Sequence, residues 1–223
     1  MQGRPFIDFA WIAGHLDDVA EKTLQHLQLL AIPMVAGIAI SMGLALLSLR
    51  WPGSVGPVTL VSGLLYTIPS LAAFAVLRPI LGLTIWTAVI PLTTYTLLIL
   101  YRNMAAGLRA VPPEVHEAAE AMGYSALTRL MRVELPLAVP LILTGVRLAS
   151  VTTIGLVTVA SVIGADRFGG LGQFITEGLQ TSFPTKIYLG GLLSIALAFA
   201  IDGLLYGLQR RLTPWARARE RAA

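Results

Sequence analysis

Charged side chains fall in a few short clusters along this chain, and long stretches between them carry none. Thr23–Leu49, Trp51–Leu77 and Pro79–Tyr101 contain no Asp, Glu, Lys or Arg. Leu135–Ala165 is interrupted only by Arg147, and Ile187–Gln209 only by Asp202. A helix that crosses a bilayer takes about 20 apolar residues. Each stretch therefore holds one span, and the pattern predicts five, with Pro79–Tyr101 the clearest. Pro33, Pro69, Pro91 and Pro140 lie in or near these spans, where neighbouring helices can satisfy the backbone groups a proline frees. The many glycines and other small residues are read as contacts that let helices approach closely.

Composition sharpens this picture. The 223 residues are 56% hydrophobic and only 13% charged, with a mean hydropathy of +0.75. Ordinary soluble domains carry about 25% charged residues, so this chain lacks the polar surface a water-soluble fold needs. A disordered chain, a nucleic-acid-binding domain and most soluble enzymes are excluded on that ground. The absence of cysteine excludes a disulfide scaffold and a thiolate metal site. The expected class is an all-α integral membrane protein, one domain without internal repeats.

Net charge is +4, and its distribution sets orientation. Positive residues gather on the cytoplasmic side of membrane proteins. The tail from 210 to 223 carries Arg210, Arg211, Arg217, Arg219 and Arg221 against Glu220, whereas the first 22 residues carry Arg4 and Lys22 against Asp8, Asp17, Asp18 and Glu21. The C-terminus is thus expected inside and the N-terminus outside, with Arg50 and the connection from Arg102 to Glu134 also cytoplasmic. Arg78 fits this arrangement least well. Residues 1–28 lack the positive-then-apolar order of a signal peptide. Phe6, Ile7, Phe9, Trp11, Ile12 and Leu16 alternate with polar positions, which predicts an amphipathic helix at the outer interface. Residues 29–209 then form the membrane domain.

The loop at 102–136 is the informative segment. Pro112 and Pro113 suit a first helical turn, Glu114 adds a favourable negative charge there, and Gly123 supplies a stop. Val115, Ala118, Ala119 and Met122 recur at helical spacing between them. Ser125 is a candidate N-cap for a second helix with Leu127, Leu130 and Met131 on one face. Four arginines face four glutamates across the loop, so no basic stripe for DNA arises. Alanines ringed by charge suit a groove on a partner protein, while a plain solvated connector has the same composition.

Glu117-Ala118-Ala119, Gly123, Val133, Leu135 and Pro136 together resemble the EAA loop of inner-membrane permease subunits of binding-protein-dependent ABC importers. The spacing EAA–x3–G–x9–[I/V]–x–L–P fits at all seven positions. Within that family the chain looks most like uptake permeases for osmoprotectants such as glycine betaine, carnitine, choline or proline betaine. That narrower match is carried by Thr67-Ile68-Pro69-Ser70-Leu71, Tyr101-Arg102-Asn103, Val133-Glu134-Leu135-Pro136-Leu137, Thr144-Gly145-Val146-Arg147 and Ile163-Gly164-Ala165. The chain departs from the family where Asp166-Arg167-Phe168 precede Gly169-Gly170-Leu171-Gly172, which predicts an outer loop of different shape. The resemblance implies the type I importer permease (MetI-like) fold, with five transmembrane helices and a cytoplasmic coupling helix between spans three and four. It also implies cytoplasmic ABC ATPase partners that bind ATP and Mg, a second permease copy (identical or not), and an extracytoplasmic substrate-binding protein. The segment Pro113–Gly123 would be the coupling helix, with Glu117 fixing its orientation through charge-assisted hydrogen bonds.

No phosphate-binding G-x-x-x-x-G-K-[ST] loop is present, and Gly169–Gly172 does not follow a strand, so this chain is expected to bind no cofactor and hydrolyse nothing. His15, His26 and His116 are widely separated in sequence and suggest no metal site. Charged residues inside spans carry functional hypotheses by default. Arg147 and Asp202 lie at similar depths from the cytoplasmic end, which predicts an ion pair between spans four and five. The alternative places each alone in a polar crevice. Tyr66, Phe74, Trp86 and Tyr95 are aromatics within the spans. Packing is their commoner role, and Tyr66, Trp86 and Tyr95 are weak candidates for a path that a quaternary ammonium solute would follow. A permease for methionine or another small solute is the alternative within transport. A carrier or channel is disfavoured by the lack of paired repeats, and an intramembrane enzyme by the lack of a nucleophile–base or paired-carboxylate constellation.

Overall fold

The computed structural model describes residues 6–164 and 168–215. Helix accounts for all the regular structure among them: ten α-helices, one 3-10 turn and one π-turn. Helix α1 (Phe9–Gly14) is capped by Asp8, whose carboxylate accepts from the Trp11 amide at 2.9 Å. After His15 the chain runs into α2 (Leu16–Arg50), 35 residues without interruption at Pro33. Residues 16–28 are therefore the N-terminal turns of the first long helix. The amphipathic segment expected over 1–28 reduces to the six residues of α1, and its first five residues lie outside the described ones. Its alternation reflects docking: Trp11 meets Phe183 edge-on at 5.5 Å, and the Asp8 amide donates to Thr185 at 3.0 Å.

The second expected span is broken. Helices α3 (Val55–Thr67) and α4 (Ser70–Leu81) meet at 86° across Ile68-Pro69. Proline removes an amide donor and biases the residue before it toward extended backbone; Ile68 has ψ 125°. The Ile68 carbonyl freed at this corner accepts the Tyr95 hydroxyl at 2.7 Å. The third expected span is also displaced. Pro79–Leu81 end α4, Gly82 turns with φ +67°, and the helix itself is α5 (Trp86–Arg109).

Helix α6 (Pro113–Ala121) and the single turn α7 (Ala126–Arg129) form the loop. A π-turn at Leu130–Glu134 joins α7 to α8 (Leu135–Gly164) without a break. Helix α9 (Gly172–Gln180) precedes α10 (Pro184–Leu212). By length and apolarity, α2, the run Ala126–Gly164 and α10 suffice to cross a membrane singly, and α3 with α4 would serve together. Helix α5 is long enough, about 36 Å at 1.5 Å per residue, but it is the most polar of the long helices.

Its position explains that polarity. Helices α2, α5 and α8 pack against one another, with Leu29, Leu92, Leu100, Tyr101, Met104, Leu108 and Ile154 essentially inaccessible between them. Thr87 and Thr96 are buried there too, and Tyr101 donates to or accepts from Ser48 of α2 at 2.9 Å. Small residues set the spacing: a Cβ on Gly145 of α8 would stand 2.5 Å from the Asn103 side chain of α5.

Candidate functional site

The loop helix α6 starts at Pro113, whose missing amide would have been unpaired in a first turn. Its end is a Schellman motif. The Tyr124 amide donates to the Ala119 carbonyl at 3.1 Å, and the Gly123 amide to the Glu120 carbonyl at 2.9 Å. Gly123 has φ +78°, a conformation that costs a residue with a Cβ about 1–2 kcal/mol. Ser125 then caps α7 by accepting from the Thr128 amide at 3.3 Å. Two rigid pieces joined by a defined turn result.

Helix α6 divides the positions that recur at helical spacing. Ala119 is buried, while Ala118 and Met122 are exposed and Val115 is half-buried. Residues 116, 119 and 120 share the inner face, as i, i+3 and i+4 positions do. Glu117 and Ala118 point away from the body of the chain, both exposed. Met122, Leu127 and Met131 add an exposed apolar fringe, at 65%, 69% and 59%. Val133 sits half-buried within the π-turn, and Leu135 and Pro136, also half-buried, open α8. The motif thus brings Glu117, Ala118, Ala119 and Gly123 onto one unit, and Val133, Leu135 and Pro136 onto the continuous junction between the π-turn and α8.

A charge cluster behind α6 escaped the sequence reading. Glu134, with its side chain 7% exposed, accepts from Arg129 Nε at 2.8 Å and lies 3.1 Å from His116 Nδ1. Arg129 also pairs with Glu120 through Nη1. The hydrogen bond to Glu134 is the main reason the Arg129 guanidinium is held above its usual pKa. Residues five apart on an α-helix stand about 140° apart around the axis. The π-turn adds one residue to the turn, so 129 and 134 meet as an i, i+4 pair does. Only a π-turn brings them together, and a sequence period of 3.6 does not signal one.

Within the bundle, Arg147 of α8 and Asp202 of α10 form a two-pronged pair. Nε reaches Oδ1 and Nη2 reaches Oδ2, each at 2.8 Å. Arg147 lies over the Tyr206 ring at 4.9 Å and donates to Gln209 at 3.4 Å. Gln209 in turn donates to the Pro140 carbonyl at 3.1 Å. The pair borders a cleft of about 590 Å³ between the two helices, otherwise lined mainly by Leu148, Val151, Ile195, Ala198 and Phe199. Of the aromatics, Tyr66 and Tyr95 meet edge-on at 6.0 Å beside the α3–α4 corner. Trp86 lies nine residues from Tyr95 on α5, about 13 Å along the axis and on the opposite side; it is exposed and Tyr95 is buried. Phe74 is fully buried packing.

The end of the bundle opposite α6 is closed by Phe168–Gly172. Gly170 has φ +54°, and a Cβ there would stand 2.6–2.8 Å from His26 atoms on α2, backbone included. The Gly170 amide donates to Gln25 at 3.1 Å and the Leu171 amide to His26 Nδ1 at 3.3 Å. The glycine run is therefore a close-packed turn of the fold. Of Asp166, Arg167 and Phe168, on which the different loop shape was expected, the first two lie outside the described residues, as do Ala165 and, in the tail, Arg217, Arg219, Glu220 and Arg221.

Residues 37–214 match the family model for the inner-membrane component of binding-protein-dependent transport systems. The chain belongs to this family. Among its relatives are the osmoprotectant import permease OsmW of Salmonella typhimurium, 37% identical over 91% of this permease and 94% of that protein. The carnitine transport permease OpuCB of Listeria monocytogenes is 37% identical over 90% of each chain. The choline transport permease OpuBB of Bacillus subtilis is 33% identical over 86% of this permease and 88% of its own length. The fold is that of solved ABC transporter chains. One, from the MetNI methionine transporter, superposes with a TM-score of 0.74 at 21% identity, covering 87% of this permease and 96% of that chain. Another, from an amino acid ABC transporter, gives 0.72 at 20%, covering 92% and 99%. The permease is thus an inner-membrane translocation component with the type I importer fold.

Proposed function

We propose that this permease carries osmoprotectants bearing a quaternary ammonium group, of the glycine betaine, choline and carnitine class, into the cell. Cytoplasmic ATPase subunits that bind ATP and Mg would drive it, and an extracytoplasmic binding protein would supply the solute. The solute class rests on relatives at 33–37% identity over most of their lengths, which are named for osmoprotectant, choline and carnitine transport. The mechanism rests on one observation: a short helix, capped at Gly123, that displays Glu117 and Ala118 away from the bundle. Such a unit inserts into a cleft on a partner with little loss of conformational entropy. Glu117 supplies a charged acceptor, and Met122 an adaptable apolar contact. The arginines at 50, 102, 109, 129, 132, 210 and 211 support a cytoplasmic loop and C-terminus, with the N-terminus outside. A second permease copy would complete the pathway.

The intramembrane site is weak by this reading. Tyr66 and Tyr95 offer aromatic edges and faces near the α3–α4 corner, enough for passing contact with a cationic headgroup. Trp86, on the far side of α5, does not contribute. Arg147 and Asp202 neutralise each other and hold α8 to α10 rather than the solute.

The test is uptake of radiolabelled glycine betaine, choline, carnitine and methionine by cells carrying the transporter as their sole candidate system. Import of the quaternary amines should disappear in Gly123→Asp and in Glu117→Lys while membrane levels of the permease stay unchanged. Uptake that survives both substitutions refutes the coupling role of α6. Import of methionine alone refutes the solute class.

A further inference from the structure

Helix α6 is held to the rest of the chain by little apolar surface. Ala119 is the one buried residue among its nine. The four-membered charge cluster must therefore do most of the holding. Its geometry crosses the loop: His116 and Glu120 come from α6, Arg129 from the end of α7, and Glu134 from the last position of the π-turn. Glu134 is the hub, with one oxygen facing both Arg129 and His116, and it is the least exposed of the four. A carboxylate at that level of burial is tolerated only with such partners. Directly after Glu134 comes α8, thirty residues of continuous helix, which Arg147–Asp202 in turn fastens to α10.

We infer that Glu134 is the positioning residue that fixes the angle between α6 and α8, so that a displacement of α6 is passed into α8 and not absorbed by the Met122–Ser125 turn. The inference rests on the reading of α6 as the helix that docks on the ATPase. Without Glu134, Arg129 Nε loses its acceptor and His116 the carboxylate beside it, and α6 keeps only the Gly123 turn, the buried Ala119 and one pairing at Glu120. The bundle, the Schellman cap and the exposed face of α6 are untouched by that change. ATPase docking should then survive while its consequence for the membrane helices is lost.

The chain has no cysteine, so pairs of introduced cysteines report cleanly. Nitroxide labels at Ala121→Cys on α6 and Leu148→Cys on α8, both exposed, measure the distance between the two helices by pulsed electron spectroscopy. The otherwise native permease should give one narrow distribution, and Glu134→Gln, nearly the same shape but uncharged, a broad one. An unchanged width overturns the inference. In liposomes holding the complete transporter, Glu134→Gln should lower solute imported per ATP hydrolysed by about tenfold, the order of a typical coupling energy between sites, with ATP hydrolysis itself largely retained. Uptake and hydrolysis that fall in parallel, or an unchanged ratio, overturn it. If Glu134→Gln fails to reach the membrane, Arg129→Gln decides on the same two measurements. Crosslinking of Ala121→Cys, exposed on α6, to the ATPase separates the two levels: its absence refutes the docking reading, whereas its presence with an unchanged ratio refutes only the role of Glu134.

Discussion

At the scale of single residues, the charges within and beyond the apolar spans divide by what faces them. Arg147 and Asp202 satisfy each other with two parallel bonds, which is the arrangement an ion pair needs where water is scarce. Removing one partner leaves the other uncompensated, whereas removing both leaves neither. We therefore expect Arg147→Leu and Asp202→Leu each to lower the melting temperature of the purified permease more than the double variant does. The non-additive part should be on the order of 1–2 kcal/mol, as for contacting residues generally. Strict additivity in that cycle would mean the pair contributes nothing as a pair. Gly123 and Gly170 show the other residue-scale rule, since both have positive φ, but only Gly170 is also pressed against a neighbouring backbone.

Among the elements, those that proved legible in the sequence were set by local chemistry. Pro113, Gly123 and Ser125 marked the ends of α6 and the start of α7 because capping depends on one or two residues in place. The long apolar runs marked α2, α8 and α10 for a similar reason. Pro69 was visible as well, yet nothing around it revealed an 86° corner, because the partner that stabilises it comes from α5. Tyr95→Phe deletes that partner and keeps the ring. The loss of one hydrogen bond, about 1 kcal/mol, should lower the melting temperature by about 2–4 °C in a chain of this size. A melting temperature equal to that of the parent would show that Pro69 holds the corner unaided. The π-turn was invisible for a different reason: five apolar and charged residues read equally well as α-helix, and the wider backbone turn that lets Arg129 meet Glu134 has no side-chain pattern of its own. Which of its alanines α6 turns inward was not legible either, because an alanine carries too little hydrophobic weight to orient a helix by itself.

For the whole molecule, charge and hydropathy gave the class and the motif gave the family, while the order of helices within the bundle had no sequence signature. The stretch taken as the most secure span, Pro79–Tyr101, turned out to feed the one long helix that is not apolar enough to qualify alone. It is also the helix with the most complete protein surroundings, placed between α2 and α8. That has a bearing on biosynthesis. A segment carrying Thr93, Thr94, Thr96, Arg102 and Asn103 gains little by moving sideways from the translocon into lipid, so α5 should wait at the insertion channel until α2, or the emerging α8, is beside it. A chain truncated after Arg109 and tagged with a glycosylation reporter should insert α5 poorly when α2 is replaced by an unrelated leucine-rich span, and efficiently when α2 is native. Efficient insertion in both backgrounds would show that α5 enters the bilayer unaided.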